Sequence, residues 1–248
     1  MTVLNSIAFV TGAAQGMGRS CVDALLAAGA AKVIAVDVNE PRFADDRVES
    51  LVVDVTDEQA IRTLFTDTPR AVQVVVNCAG AYRSRNGLDI EIDEWNRSMA
   101  INLVAPFLIM KYASERLIRE GLDGAFVNVA SIAGKRAFPN QADYCAAKAG
   151  LIGLTRASAL DLSPHGITVN AVAPGTVDTP MMQRVVSDLM EATGLSESDQ
   201  RNELTKDIPI RRMQSAAEVA AAIAFLTSAP ARAITGETLV VDGGLSRD

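Results

Sequence analysis

Short apolar runs rich in β-branched residues alternate along the chain with longer segments that have a helical spacing of apolar positions. We predict strands at residues 7–10, 33–37, 50–53, 72–76, 125–129, 168–173 and 238–241, and helices at residues 16–28, 57–65, 93–119, 143–162 and 216–227. The strands are apolar almost throughout, as parallel strands covered on both faces are. The alternation therefore predicts an α/β chain with a three-layer doubly wound (Rossmann) fold and a seven-stranded parallel sheet.

Two regions depart from this alternation. The connection from Asp37 to Asp54 is short and contains Pro41, so we expect no full crossover helix there. Residues 181–212 mix apolar residues with the polar stretch 196–199, and we expect a mobile amphipathic insertion that acts as a substrate lid. Since no linker or internal repeat divides the sequence, we predict a single domain over residues 1–248.

Composition narrows the function classes. The chain has 248 residues, of which 49% are hydrophobic and 21% charged, and this excludes a disordered protein. A net charge of -7 argues against binding to nucleic acid or to an anionic membrane. The cysteines Cys21, Cys78 and Cys145 have no metal-ligand spacing, and the one histidine, His165, excludes a multi-histidine metal site. We therefore expect no metal, a reducing compartment and, because no signal peptide is recognisable, a cytoplasmic protein.

A glycine-rich turn follows the first predicted strand and begins a helix. Its residues are Thr11, Gly12, Ala13, Ala14, Gln15, Gly16, Met17 and Gly18. Glycines at such a turn let the backbone approach a pyrophosphate, whose charge the helix N-terminus stabilises. A tight turn without a ligand is the alternative, because the spacing is not the commoner Gly-x-Gly-x-x-Gly.

The end of the second strand indicates which dinucleotide binds. Asp37 stands nineteen residues after Gly18, where folds of this class bind the adenosine ribose hydroxyls. A carboxylate there repels a 2′-phosphate, and neither Gln15 nor Val38 provides a guanidinium to pair with one. Arg19 is interpreted as a helix-surface residue. The sequence thus predicts NAD as the cofactor in preference to NADP.

Candidate catalytic residues lie near the middle of the chain. Ser131 follows the fifth strand, and Tyr144 and Lys148 are four residues apart, on one face of a helix. An ammonium group and a cationic nicotinamide ring would both favour the phenolate of Tyr144, which could then exchange a proton with an alcohol. Ser131 could hydrogen-bond the same oxygen, and Lys148 could also hold the nicotinamide ribose. A solvent-facing Tyr–Lys pair is the alternative.

These features together resemble the short-chain dehydrogenase/reductase family over essentially the whole chain. The matching motifs are Thr11-Gly12-x-x-x-Gly16-x-Gly18, Asp54, Asn77-Cys78-Ala79-Gly80, Asn102, Ser131, Tyr144-x-x-x-Lys148, Pro174-Gly175 and Asp242-Gly243-Gly244. The resemblance implies a catalytic tetrad of Asn102, Ser131, Tyr144 and Lys148, with Asn102 holding a water linked to Lys148.

The resemblance also implies further cofactor contacts. Asp54 and Val55 would flank the adenine, the motif Asn77, Ala79 and Gly80 would steady the central strand beside the cofactor, and the turn Pro174, Gly175, Val177 and Thr179 would contact the nicotinamide end. Structural roles remain as alternatives for three of these side chains. Asn77 could satisfy buried backbone, Asn102 could stabilise a helix kink, and Asp54 could cap the helix that begins near Asp57.

The predicted function is hydride transfer between NAD(H) and a small-molecule secondary alcohol or ketone, with Tyr144 as acid/base. An NADP-linked 3-oxoacyl thioester (acyl carrier protein) reductase is the alternative within the enzyme class, which residues 146–174 also resemble. A catalytically silent nucleotide-sensing protein on the same fold is the alternative from another class. The resemblance further implies a homotetramer.

Overall fold

The strand-forming segments come together in one parallel sheet. The computed structural model describes residues 3–246. The sheet strands are β1 Ile7–Thr11, β2 Lys32–Asp37, β3 Val48–Val52, β4 Val74–Asn77, β5 Gly124–Val129, β6 Ile167–Pro174 and β9 Thr238–Val241. Their order is β3-β2-β1-β4-β5-β6-β9, and neighbouring strands are parallel. The order reverses direction between β1 and β4, and sheets of this kind bind ligands at such a switch point.

Helices cover both faces of the sheet. They are α1 Gly16–Ala27, α2 Glu58–Asp67, α3 Ile92–Met99, α4 Ala105–Glu120, α5 Ala142–Leu162, α6 Pro180–Thr193, α7 Glu197–Thr205 and α8 Ala216–Leu226. A short second sheet pairs β7 Val177–Asp178 with β8 Gln214–Ser215. Within residues 3–246, each helix is too short or too polar to cross a membrane.

Two hydrophobic clusters hold the three layers together. Ala8 and Val10 of β1 face the cluster that includes α1 and α8, whereas Ile7 and Phe9 face the cluster that includes α2, α4 and α5. Successive residues of a strand point to opposite faces, so a nearly continuous apolar strand serves both clusters. The predicted doubly wound, seven-stranded fold is confirmed.

The single helix predicted over residues 93–119 is wrong. A π turn, Ala100–Val104, separates α3 from α4. Asn102 lies in this turn and is buried, and its amide nitrogen donates to the carbonyl oxygens of Ala81 (2.9 Å) and Ser98 (3.0 Å). The bond to Ala81 ties the wide turn to the segment after β4, which a pattern of apolar positions cannot reveal.

The connection between β2 and β3 forms no helix over residues 38–47, as the sequence predicts. Its conformation depends on a contact with α1. The guanidinium of Arg19 lies 4.5 Å from the ring centroid of Phe43 and donates to the carbonyl oxygen of Arg42 (2.8 Å). Phe43 in turn packs against the hydrophobic cluster below α1. A cation–π contact and one hydrogen bond therefore take the place of a helix.

Candidate active site

The glycine turn after β1 is closely packed against the segment after β4. Gly12 has φ +68°, and a Cβ added there would lie 2.9 Å from the amide nitrogen of Ala79. A Cβ on Gly18 would lie 2.1 Å from the carbonyl oxygen of Gly12. Thr11 locks the two segments together, because its hydroxyl oxygen accepts from the amides of Cys78 (3.1 Å) and Ala79 (2.9 Å). Only glycine therefore fits at positions 12 and 18.

The N-terminus of α1 is open to a ligand. Gln15 is the N-cap residue, and its side chain makes no capping hydrogen bond. The first turn of α1 also contains no acidic residue. The first amides of a helix lack partners within the helix and carry a partial positive charge. This turn can therefore bind an anion such as a pyrophosphate.

Asp37 occupies the carboxyl end of β2, facing the glycine turn. One carboxylate oxygen accepts from the amide of Ala14 (3.1 Å), and the other accepts from the amide of Asn39 (2.9 Å). Each oxygen keeps further acceptor capacity for a hydroxyl. Arg19, the nearest cation of α1 in sequence, is engaged by Phe43 and by the carbonyl of Arg42. The carboxylate of Asp37 can therefore accept further hydrogen bonds from hydroxyl groups at this position.

A cleft of about 730 Å³ runs along the carboxyl edge of the sheet at the switch point. Eleven of the predicted cofactor-binding residues line it: Gly12, Gln15, Gly16, Met17, Gly18, Asp37, Asp54, Val55, Ala79, Gly80 and Thr179. Asp54 accepts from the amide (2.9 Å) and hydroxyl (2.7 Å) of Thr56, and these bonds lower the pKa of its carboxyl group. The N-cap of α2 is Asp57, so Asp54 is not needed there. The size of the cleft and its glycine floor fit a dinucleotide.

Lys148 lies buried at the base of the site. Its Nζ donates to the carbonyl oxygen of Val129 (2.8 Å) at the end of β5. A Cβ added to Gly80 would lie 3.7 Å from this Nζ and 3.2 Å from the Oδ1 of Asn102. Gly80 therefore keeps the space between two of the predicted catalytic side chains open. Burial lowers the pKa of Lys148 to about 8.

Tyr144 lies half-buried one turn before Lys148 on α5, and the ammonium of Lys148 is 5.6 Å from its ring centroid. Burial raises the pKa of Tyr144 to about 12, and this effect exceeds that of the hydrogen bond with Ser131, which lowers it. The sequence places the two residues correctly on one helical face. Spacing along the helix does not reveal the loss of water around the phenol, which has the larger effect on its pKa.

The other predicted cofactor residues lie behind the lining of the cleft. Asn77 donates from Nδ2 to Asn128 Oδ1 (2.8 Å) and so joins β4 to β5. Pro174 and Val177 are buried, and a Cβ on Gly175 would lie 2.7 Å from the Cβ of Asp242. Their side chains support the cleft rather than line it in this structure. Tyr144 and Lys148 likewise do not line this cleft.

Several residues that line the cleft were not predicted as cofactor residues from the sequence. They are Val38, Asn39, Val53, Thr56, Cys78, Ala81, Asn96, Arg97, Ala100, Ile101, Pro180 and Met181. Many of them directly flank a predicted residue, so including the neighbours of Asp37 and Asp54 would have found them. The group from α3 and the π turn has no sequence signal, because the break in the helix decides which face it presents.

A second cavity of about 290 Å³ adjoins the cleft. It is lined by Ala81, Tyr82, Arg83, Arg85, Ile90, Glu94, Arg97, Ser98 and Asp143, of which Ala81 and Arg97 also line the cleft. The ring of Tyr82 meets the ring of Tyr144 edge-on, with centroids 5.4 Å apart. This cavity therefore opens beside the phenol at which we expect proton transfer.

Comparison with known proteins finds relatives that span the chain. A family model described as Enoyl-(Acyl carrier protein) reductase matches residues 12–246. The 3-oxoacyl-[acyl-carrier-protein] reductase FabG of Salmonella typhimurium is 36% identical, with 99% of each chain covered.

Two solved structures share this architecture. The aldohexose dehydrogenase of Thermoplasma acidophilum, in ligand-free form, superposes with a TM-score of 0.91 at 30% identity, over 99% of this chain and 96% of the other. A candidate 2-deoxy-D-gluconate 3-dehydrogenase from Agrobacterium tumefaciens, with bound NADP, has a TM-score of 0.86 at 30% identity, over 98% and 97%.

Proposed function

The chain belongs to the short-chain dehydrogenase/reductase family of oxidoreductases, and we propose that it transfers a hydride between NAD(H) and a secondary alcohol or ketone. One observation supports NAD over NADP as the cofactor. The carboxylate of Asp37 faces the glycine turn, and the nearby cation of Arg19 is engaged by Phe43 and by the backbone. A 2′-phosphate placed at Asp37 would be repelled by that carboxylate.

In the proposed binding mode, the glycine turn and the α1 N-terminus hold the pyrophosphate, and Asp37 binds the adenosine ribose. Asp54 and Val55 flank the adenine, and Lys148 holds the nicotinamide ribose. The bound nicotinamide ring supplies the hydride acceptor for an alcohol, or the hydride donor for a ketone. The turn 174–179 closes the nicotinamide end.

Tyr144 exchanges the proton of the substrate oxygen, and Ser131 donates a hydrogen bond to the same oxygen. With its pKa at about 12, Tyr144 holds its proton at neutral pH and is ready to donate it to a ketone. In the alcohol direction it must accept a proton, and a positive charge near the phenol lowers the pKa toward that task. Asn102 fixes the wide turn next to Lys148 and completes the tetrad.

The test measures turnover of secondary alcohols with NAD and with NADP. We expect kcat/KM to be at least about tenfold higher with NAD, a difference of about 1.4 kcal/mol in transition-state binding. Asp37→Ala should lower that ratio, whereas Asp46→Asn, a charge change at an exposed position of the same connection, should leave it unchanged. A ratio that favours NADP in the unaltered enzyme would refute the choice of NAD.

The role of Tyr144 has its own test. Tyr144→Phe should lower kcat by about 10²- to 10⁴-fold, because proton transfer is lost while the ring remains. Binding of NADH, followed by its fluorescence, should be retained. If the variant keeps full turnover, another acid/base acts. If the unaltered protein binds nucleotide and never turns over, it is a nucleotide-sensing protein.

An NADPH-linked 3-oxoacyl thioester reductase is the second candidate. The 36% identity to the Salmonella FabG over 99% of both chains favours it, and the bound NADP in the Agrobacterium structure is compatible with it. Similarity to an aldohexose dehydrogenase and to a candidate 2-deoxy-D-gluconate 3-dehydrogenase favours sugars and sugar acids instead. Turnover of a 3-oxoacyl thioester with NADPH, compared with turnover of aldoses and polyols with NAD, decides between the two.

We further propose a homotetramer and a cytoplasmic location for the enzyme. Val104, Phe107 and Leu160 are exposed large apolar residues in the π turn, α4 and α5, and their burial between copies would favour association. The three cysteines are free, which suits a reducing compartment.

We propose that residues 181–212, which comprise most of α6 and all of α7, close over the substrate as a lid of one domain spanning residues 1–248. Met181 already lines the cleft at the start of that segment.

A further inference from the structure

The second cavity contains charges that hydride transfer does not require. Three guanidinium groups, those of Arg83, Arg85 and Arg97, line it together with the carboxylates of Glu94 and Asp143. Its lining therefore carries one net positive charge, although the whole chain has a net charge of -7. A local excess of guanidinium beside an active site favours an anionic ligand.

Glu94 positions two of these arginines. Its carboxylate accepts from Nη1 of Arg83 (3.1 Å) and from Nη1 of Arg85. Each guanidinium has five N–H donors in a planar fork. These bonds use a single nitrogen of each, so the remaining donors of Arg85 stay available to a ligand. Glu94 thus fixes the arginines and is itself satisfied.

Arg85 is also held directly to the segment that leads into α5. Its amide donates to the carbonyl oxygen of Asn140 (2.9 Å), and Arg85 forms a parallel β-bridge with Gln141. Gln141 is the N-cap of α5, three residues before Tyr144, and its side chain donates to the hydroxyl of Tyr82 (3.4 Å). The position of Arg85 is therefore coupled to that of the proposed acid/base. Its side chain is one-third exposed, which leaves it within reach of a ligand.

Arg97 completes the positive side of the cavity. It lines both the cavity and the dinucleotide cleft. Within residues 3–246 its exposed side chain forms neither an ion pair nor a hydrogen bond. Asp54 is the group that its charge affects, since Arg97 contributes to lowering the pKa of that carboxyl. An exposed guanidinium at the junction of two cavities can bind an anionic group through charge-assisted hydrogen bonds.

On the premise of the proposed function, we propose that the substrate is a hydroxy or oxo acid whose carboxylate is bound by Arg85 and Arg97 in this second cavity. The ring contact between Tyr82 and Tyr144 puts the cavity within one side chain of the reacting oxygen. A carboxylate there belongs to a small molecule in which few bonds separate it from the carbinol carbon. The phosphates of an acyl carrier lie many bonds from the oxo group and reach a more distant surface.

The test compares matched acids and neutral alcohols in the complete enzyme with NAD. D-Gluconate is paired with D-glucitol, and 3-hydroxybutanoate with 1,3-butanediol, so that each pair differs only by a carboxylate in place of CH₂OH. 3-Hydroxybutanoyl-CoA tests the thioester source of negative charge. We expect kcat/KM to be higher for at least one acid than for its neutral partner.

Substitutions then locate the effect. Arg85→Gln and Arg97→Gln should each raise KM for the acid by about ten- to hundredfold, the loss expected for one charge-assisted hydrogen bond, with kcat little changed. Arg85→Lys should restore part of the loss. Arg232→Gln is the control, since it removes a surface cation paired with Asp123 at the opposite edge of the sheet. This control should leave KM unchanged for both the acid and the neutral substrate.

The outcomes separate this proposal from the proposed function. Tyr144-dependent turnover of neutral alcohols with no preference for any acid would overturn the carboxylate subsite and leave the dehydrogenase intact. Equal losses for acid and neutral substrates in Arg85→Gln and Arg97→Gln would do the same, as would selective loss of the CoA thioester. If no substrate turns over, calorimetric titration with D-gluconate decides. Binding that both arginine variants weaken supports the subsite, and absence of binding overturns it.

Discussion

Because of Lys148, the free energy of unfolding should increase as the pH rises above neutrality. Its ammonium is buried, and this lowers its pKa from 10.5 to about 8. Between these two values the unfolded chain binds more protons at this residue than the folded chain does. Raising the pH through this window therefore stabilises the folded state.

The size of the effect follows from the two pKa values. A pKa of about 8 in place of 10.5 costs the folded state on the order of 3 kcal/mol at pH 7. At pH 9 part of the unfolded chain has already lost this proton, and the cost falls to about 2 kcal/mol. Lys148 should thus add about 1 kcal/mol to the free energy of unfolding between pH 7 and pH 9.

The assay is urea unfolding at fixed protein concentration and several pH values, for the unaltered protein and for Lys148→Met. Cys21 titrates with the opposite sign, because its hydrogen bond with Cys78 and its burial raise its pKa. Subtracting the Lys148→Met curve removes that contribution and also the constant loss of the bond to Val129. If the difference in the free energy of unfolding between the two proteins is constant from pH 7 to pH 9, the prediction of a buried, destabilised ammonium is refuted.

Three further predictions concern the cleft and the assembly. Gly18→Ala should raise the Kd for NADH at least about tenfold in a fluorescence titration, because the added Cβ would lie 2.1 Å from the carbonyl oxygen of Gly12. Gly153→Ala is the control and should leave this Kd unchanged, because Gly153 is a helical position with open space around it. Phe43→Ala should raise KM for NAD about two- to fivefold without lowering kcat, as expected from losing a cation–π contact, and an unchanged KM would show that the contact is not needed. Leu160→Glu, at a side chain that is 78% exposed, should dissociate the tetramer in light scattering, and an unaltered mass would place the interface elsewhere.

Sequence patterns predict the sheet well, and the reason is physical. Strands β1, β2, β4, β5 and β6 are covered on both faces, so their apolar runs are nearly continuous, and glycine or polar residues mark the strand ends. The helix spanning residues 93–119 fails because its interruption depends on Asn102 reaching the carbonyl oxygen of Ala81 across the chain. Local sequence contains no information about that partner.

In the candidate site, too, the sequence predicts some features and not others. Residues fixed by backbone geometry, such as Gly12 and Gly18, are predictable because nothing larger fits. The pKa of Tyr144 cannot be predicted in this way. The spacing to Lys148 gives the direction of one charge effect on that pKa, but it does not reveal burial, whose effect is larger. The arginines of the second cavity are likewise hidden, since their grouping requires the loop after β4, α3 and the start of α5 to meet.

The π turn at residues 100–104 changes the rotational phase of the helical rod that contains it. An α-helix turns by about 100° per residue, so one additional residue in a turn rotates everything beyond it by roughly that angle. The α3 half of the rod directs Glu94 and Arg97 at the cavity, and the α4 half directs Leu108 and Ile109 into the core below the sheet. Deleting one residue here would restore a regular helix and leave the two halves out of step with their partners.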